Sequence, residues 1–107
     1  MNRMIWRFSF YLLTGTLAIA AGDASAGKAV YDKACKACHG ATGVPNAAIA
    51  KTMKVTMASL DDPAVQSLSD DELKAVVTSG KGKMKPVKSV SGKAMDDVVA
   101  YVRTFKK

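Results

Sequence analysis

Apolar residues recur three and four positions apart in three stretches of the chain, which is the period of an α-helix. The first stretch starts at Gly27 and predicts a helix that ends near Gly40. Its apolar stripe consists of Val30, Tyr31, Ala34, Cys35 and Cys38. The second stretch follows Ser69, and the third runs from Ser91 to about Lys106. No stretch alternates convincingly as a strand would, so the sequence predicts an all-α fold of three or four helices.

Local signals mark the ends of these helices. Ser69 and Glu72 are spaced as a capping box, and Gly80 is suited to end the helix that they begin. Ser91 is the predicted N-cap of the last helix. Between Ala47 and Leu60, the spacing of Ile49, Met53 and Met57 favours one short further helix. The segments 41–46 and 80–90 are predicted to be loops because each contains glycine and a proline.

The first 26 residues have the composition of an export signal. Arg3 and Arg7 precede an apolar run from Phe8 to Ala21, and small residues follow at Ala24-Ser25-Ala26. We expect cleavage after Ala26, which leaves residues 27–107 as one domain in the periplasm. An uncleaved membrane anchor is the alternative, although the apolar run is shorter than the ~20 residues that span a bilayer.

The most specific motif is Cys35-Lys36-Ala37-Cys38-His39. Two cysteines separated by two residues and followed at once by a histidine form the attachment signature of a c-type haem. Cys35 and Cys38 would bind the two vinyl groups of one haem, and the neutral imidazole of His39 would bind its iron. The predicted cofactor is therefore one covalently bound haem c.

Three other interpretations of these residues are weaker. A dithiol redox site would favour a βαβ pattern, which the chain does not show. A structural zinc site needs four ligands, whereas the chain has two cysteines and one histidine, all within five residues. A structural disulfide would give no reason for the histidine that follows.

The net charge of the chain indicates which class of binding partner to expect. The chain has a formal net charge of +7, with Lys+Arg at 16 against Asp+Glu at 9. This excess favours an acidic protein surface, whereas nucleic-acid binding is disfavoured because Arg103 is the only arginine in the predicted mature domain. The adjacent acidic pairs at 61–62, 70–71 and 96–97 are typical of helix starts and solvated surface, so no catalytic residues and no enzymatic activity are predicted.

From Gly27 to the C-terminus the chain resembles the small class I bacterial cytochromes c. The residues that carry the resemblance are Gly27, Tyr31, the motif 35–40, Pro45, the run 68–73, the stretch 80–84, Tyr101 and Val102. It implies a cytochrome c fold wrapped round one haem, in which Gly27 lets the first helix approach Tyr101 closely. It also implies that the Pro45 carbonyl accepts a hydrogen bond from His39.

The sixth position of the iron is assigned to Met84. Met84 lies in an irregular segment between Gly82 and Pro86, whereas Met53, Met57 and Met95 fit the role of core filler. Here Lys85 separates Met84 from Pro86, while related cytochromes commonly have proline directly after this methionine. The ligands His39 and Met84 would saturate the iron and leave outer-sphere electron transfer as the function.

The sequence leaves two alternatives open. A five-coordinate haem protein would bind a small gas or peroxide, and a subunit fixed in a periplasmic oxidoreductase complex would transfer electrons without diffusing. For the carrier, Lys81, Lys83, Lys85 and Lys88 are predicted to surround the exposed haem edge and to dock on acidic redox partners. The protein is predicted to be a monomer.

Overall fold

The computed structural model describes residues 22–107, which form six helices. The predicted leader and its apolar run lie almost entirely outside the described residues. The helices are α1 (Ala24–Ala34), α2 (Lys36–His39), α3 (Ala47–Met53), α4 (Pro63–Gln66), α5 (Asp70–Ser79) and α6 (Lys93–Arg103). Residues 22–107 contain no strand, so the prediction of an all-α fold is confirmed.

The helices outnumber the predicted three or four for two local reasons. The predicted first helix is interrupted at Cys35, whose backbone (φ −125°, ψ −35°) leaves the helical region before α2 resumes at Lys36. In addition, Asp62 accepts a hydrogen bond from the amide of Ala64, and Pro63 occupies the first turn of the extra helix α4. Both additions are single turns or little more, and α1, α5 and α6 remain the long helices.

Helix α1 begins at Ala24 rather than at the predicted Gly27. The carboxylate of Asp23 accepts hydrogen bonds from the amides of Ser25 and Ala26 and so caps the helix. The predicted cleavage point after Ala26 consequently falls inside α1.

The buried core lies where α1 packs against α6. Tyr31, Val90, Met95 and Val98 are buried together, and Tyr31 has no exposed surface. The rings of Tyr31, Tyr101 and Phe105 contact one another edge to face, with centroids 5.1 to 5.4 Å apart.

Gly27 allows the two long helices to meet. A β-carbon at this position would overlap the carbonyl oxygen of Asp97 and would lie 2.9 Å from Cβ of Tyr101. The close approach of Gly27 to Tyr101 is therefore confirmed, and any larger residue would push α1 away from α6.

The capping predictions have mixed outcomes. At the start of α5, Ser69 Oγ accepts from the amide of Glu72 and the amide of Ser69 donates to Glu72 Oε1, both at 3.1 Å, so the capping box is confirmed. Gly80 ends α5 with φ +75°. The prediction for Ser91 is wrong: Gly92 is the N-cap of α6, and no side chain caps that helix.

The weakly patterned segment 47–60 is helical only over its first half. Asn46 caps α3 through the amides of Ala48 and Ile49, and α3 ends at Lys54, whose φ of +55° is left-handed. Met57 therefore lies outside any helix. Within residues 22–107, none of the helices has the length and apolar character needed to span a bilayer.

Candidate functional site

The motif 35–39 forms one tight turn at the end of α1. The amide of Cys35 donates to the Tyr31 carbonyl at 2.9 Å, and the amide of His39 donates to the Cys35 carbonyl at 2.9 Å. These bonds bring Cys35, Cys38 and His39 together within a single helical turn. Both cysteines are free thiols and half-buried.

The chain that follows the motif folds back over it. The hydroxyl of Tyr31 donates to the carbonyl of Gly40 at 2.6 Å, and the amide of Asn46 donates to the carbonyl of Cys38 at 2.9 Å. Gly40 has φ +76°, and a β-carbon there would overlap the Val44 carbonyl oxygen. The turn is therefore held from the core by Tyr31 and from the outside by Asn46.

Burial sets the protonation states of the site. Desolvation lowers the pKa of His39, so its imidazole is neutral at pH 7. Desolvation, with a smaller contribution from neighbouring Cys38, raises the pKa of the Cys35 thiol to about 11. A neutral imidazole is the form that binds iron.

One ring nitrogen of His39 has no hydrogen-bond partner. Nδ1 is buried and unpaired, so the hydrogen bond implied for the Pro45 carbonyl is not made in this structure. An unpaired buried polar atom costs about 1–3 kcal/mol. The imidazole therefore gains free energy from any arrangement that satisfies both of its nitrogens, as metal binding at one and a carbonyl at the other would do.

Met84 is held in a two-residue turn. The amide of Lys81 donates to the Met84 carbonyl at 2.9 Å, and the amide of Met84 donates to the Lys81 carbonyl at 3.0 Å. A β-carbon on Gly80 would lie 2.5 Å from the Met84 carbonyl oxygen and 2.9 Å from Cδ of Pro86. The proline therefore still packs against this turn although Lys85 is inserted before it.

Contacts on two sides fix the Met84 turn. The amide of Val87 donates to the carbonyl of Val77 in α5 at 2.8 Å. On the other side, Nζ of Lys83 donates to the carbonyl of Met53, the last residue of α3, at 2.6 Å. Lys83 thus has a structural contact in addition to the docking role that the sequence predicted.

The apolar side chains between α2 and α6 fit a large apolar group. The fully buried hydrophobic residues belong to α1 and α6, together with Val90. By contrast, the larger apolar residues of segment 49–87 are all half-buried, namely Ile49, Met53, Val55, Met57, Leu60, Val65, Leu68, Leu73, Val76, Val77, Met84 and Val87. Together with two thiols and a neutral imidazole on one turn, this set of donors and apolar surface fits a covalently attached haem.

The other interpretations of the cysteines gain no support. Residues 22–107 contain no group of three His, Cys, Asp or Glu side chains that could hold a metal ion by themselves, as a zinc site requires. The described part of the chain also lacks the strands of a dithiol oxidoreductase. Cys35 and Cys38 form no disulfide with each other.

Three functional contacts were not predicted from the sequence. They are the hydroxyl of Tyr31 on Gly40, the amide of Asn46 on Cys38, and Lys83 on Met53. The capping of α3 by the Asn46 side chain could have been found, since an asparagine before a helical stretch is a typical N-cap, but the bond from its amide to Cys38 could not. The bonds of Tyr31 and Lys83 join residues 9 and 30 positions apart, and no local pattern reports them.

Comparison with known proteins gives three concordant results. Residues 22–102 match the family model described as cytochrome c oxidase, cbb3-type, subunit III. The chain is 30% identical over 91 residues to cytochrome c-554(547) of Halothiobacillus neapolitanus, covering 80% of this chain and all of that one. Among solved structures, it resembles the KustC0563 c-type cytochrome with a TM-score of 0.64 and 27% identity, over 76% of this chain and 98% of that one.

Proposed function

This chain belongs to the cytochrome c family, and we propose that it is a periplasmic carrier with one haem that takes up and releases one electron at a time. The observation that carries the proposal is the turn at 35–39, where two thiols and a neutral imidazole meet beside half-buried apolar surface. A covalent haem c supplies an iron that alternates between the ferrous and ferric states.

Each residue of the site has a defined task. Cys35 and Cys38 would form the thioether bonds, and His39 would bind the iron through Nε2, which leaves Nδ1 for a carbonyl acceptor such as that of Pro45 once the haem is in place. Tyr31 keeps the turn at a fixed distance from the core through its bond to Gly40. Ligands that are held in place lower the reorganisation energy of electron transfer.

We assign the sixth ligand to Met84. The turn that presents it is anchored to both α3 and α5, and Gly80 allows the close packing that this turn needs. Met57 is the strongest rival, because it also lies outside the helices. A thioether ligand stabilises ferrous iron and raises the reduction potential.

The experiment that tests the assignment compares Met84→Ala with Met57→Ala and Met53→Ala. Met84→Ala is expected to lose the methionine-to-iron charge-transfer band, to lower the reduction potential and to let carbon monoxide bind the ferrous protein. The two control variants should keep the spectrum of the parent protein. Retention of the band in Met84→Ala, or its loss in Met57→Ala, would refute the assignment.

We further propose that acidic redox partners dock near the Met84 turn. Lys81, Lys83, Lys85 and Lys88 are all exposed, and none of them forms an ion pair within residues 22–107. Their positive field would speed the encounter with an acidic partner and leave the complex weak enough to separate. The carrier would act as a monomer that reaches the periplasm by means of its leader.

A second candidate is a subunit fixed in a membrane oxidase complex, which the description of the matching family model favours. The redox chemistry would be the same, but the partner would be permanent. Native-state sizing of the protein from its own cells separates the two: a carrier migrates at the mass of one chain, whereas a subunit migrates with its complex.

A further inference from the structure

We propose that residues 22–26 remain in the exported protein as the start of its fold, and that the leader is removed after Ala20, so that the exported chain begins at Ala21. This inference rests on the export that is part of the proposed function, but it differs from the expectation that cleavage follows Ala26. The retained residues would serve as the clasp that joins the start of α1 to α6.

Gly22 contacts the backbone of α6 directly. A β-carbon on Gly22 would overlap the carbonyl of Asp96 and the amide of Asp97. Such an approach is possible only for glycine, and it belongs to tertiary packing. A leader has no need of a glycine fitted to the last helix of the domain.

Asp23 links both helices through its backbone and its side chain. Its amide donates to Oδ1 of Asp97 at 2.8 Å, and its carbonyl accepts from the amide of Gly27 at 2.8 Å. Its carboxylate caps α1 by accepting from the amides of Ser25 at 2.8 Å and Ala26 at 3.4 Å. Cleavage after Ala26 would remove all of these bonds together.

The partner of Asp23 in α6 needs this donor. Asp97 is only 4% exposed, and its carboxylate is satisfied by the Asp23 amide together with Nζ of Lys93. Loss of residues 22–26 would remove one of these two donors and, with it, the contact that the start of α1 makes with α6. A retained Asp23 therefore accounts for the hydrogen bonding of the buried Asp97.

The sequence supplies a processing site at the corresponding place. Ala18 and Ala20 are small residues at the spacing that leader cleavage requires, and they lie at the end of the apolar run from Phe8 to Ala21. The match to the cytochrome family model also begins at residue 22. Cleavage after Ala20 thus leaves intact both the clasp and the family domain.

The test is the intact mass of the haem-loaded protein purified from the periplasm after expression of the full chain. We expect the mass of a chain that begins at Ala21 with one haem added. A chain that begins at Asp23 or Gly27 would overturn the inference and leave the electron-carrier proposal intact. An unprocessed chain held in the membrane would overturn both the inference and the proposed periplasmic location.

A matched pair of variants isolates the site of cleavage. Ala20→Gln places a large polar residue before the proposed cut and should abolish the Ala21 terminus. Ala26→Gln makes the same change before the other candidate cut and should leave the Ala21 terminus as it is. The opposite pattern, with Ala26→Gln blocking the removal of the leader, would refute the inference.

Discussion

Replacement of Tyr31 by Phe tests how the core holds the haem-attachment turn. The change removes one hydroxyl and keeps the ring, which packs edge to face against Tyr101 and Phe105. The lost bond is the 2.6 Å contact to the Gly40 carbonyl, donated by a side chain with no exposed surface. The Gly40 carbonyl is part-buried, so loss of this bond should lower the free energy of unfolding at pH 7 by about 1 kcal/mol.

The same substitution predicts a dependence on alkaline pH. Burial raises the pKa of Tyr31 above its ordinary value of 10.0, so the folded protein keeps the hydroxyl protonated where the unfolded chain loses its proton. The stabilisation is therefore complete below pH 10 and is lost as the pH rises beyond it, by about 1.4 kcal/mol per pH unit. The difference between parent and Tyr31→Phe should shrink above pH 10 and vanish one to two units higher.

The assay is chemical denaturation of both haem-loaded proteins at neutral pH and at several alkaline values, followed by far-ultraviolet circular dichroism. Tyr101→Phe is the matched control, because it removes a hydroxyl from the same aromatic cluster without touching the bond to Gly40. Equal stability of Tyr31→Phe and parent at pH 7 would refute the account of this bond. A difference that stays constant through the alkaline range would refute the account of its titration.

Three further predictions follow from other contacts. Asp97→Asn should lower the free energy of unfolding at neutral pH. Because the bond from the Asp23 amide, followed by that from Lys93, lowers the pKa of Asp97, this loss of stability should shrink as the pH falls below the ordinary pKa of 3.8. A loss of stability that does not depend on pH would contradict this explanation. Gly27→Ala should destabilise the protein by about 1–3 kcal/mol in thermal unfolding, because the methyl group overlaps the Asp97 backbone and forces α1 away from α6. Gly82→Ala is the control and should cost less, because the space around Gly82 is open although its φ is +57°. For docking, Lys85→Glu should slow electron transfer to the native partner and should flatten the fall in rate between ~0.01 and ~0.1 M salt. Lys83→Gln also breaks the bond to Met53 and should therefore shift the reduction potential. A rate that depends neither on salt nor on Lys85→Glu would exclude docking by these lysines.

The parts of the fold that the sequence predicted are those governed by local patterns. The capping box at Ser69 and Glu72, the stop at Gly80 and the stripe of α6 depend on residues within one or two turns, and they were found. The identity of the haem-attachment motif is equally local. The close fit of Gly27 against Tyr101 was reached through the family resemblance and not through periodicity.

What the sequence did not predict depends on contacts between distant segments. The start of α1 at Ala24 reflects Asp23 and its bond to Asp97, which is 74 positions away. Gly92 displaced Ser91 as the N-cap of α6, since the buried Val90 and the positive φ of Gly92 fix the chain before the helix. The bond from Lys83 to Met53 likewise joins the Met84 turn to the end of α3, and no periodic pattern connects these two segments.

The most direct test of the central claim is the reaction of the reduced, unmodified protein with carbon monoxide. A carrier whose iron is held by His39 and Met84 has no open position, so the ferrous absorption spectrum should be unchanged by the gas while a chemical oxidant still removes one electron per chain. Rapid formation of a carbon monoxide complex would contradict the account and identify the protein as one that binds ligands at its iron.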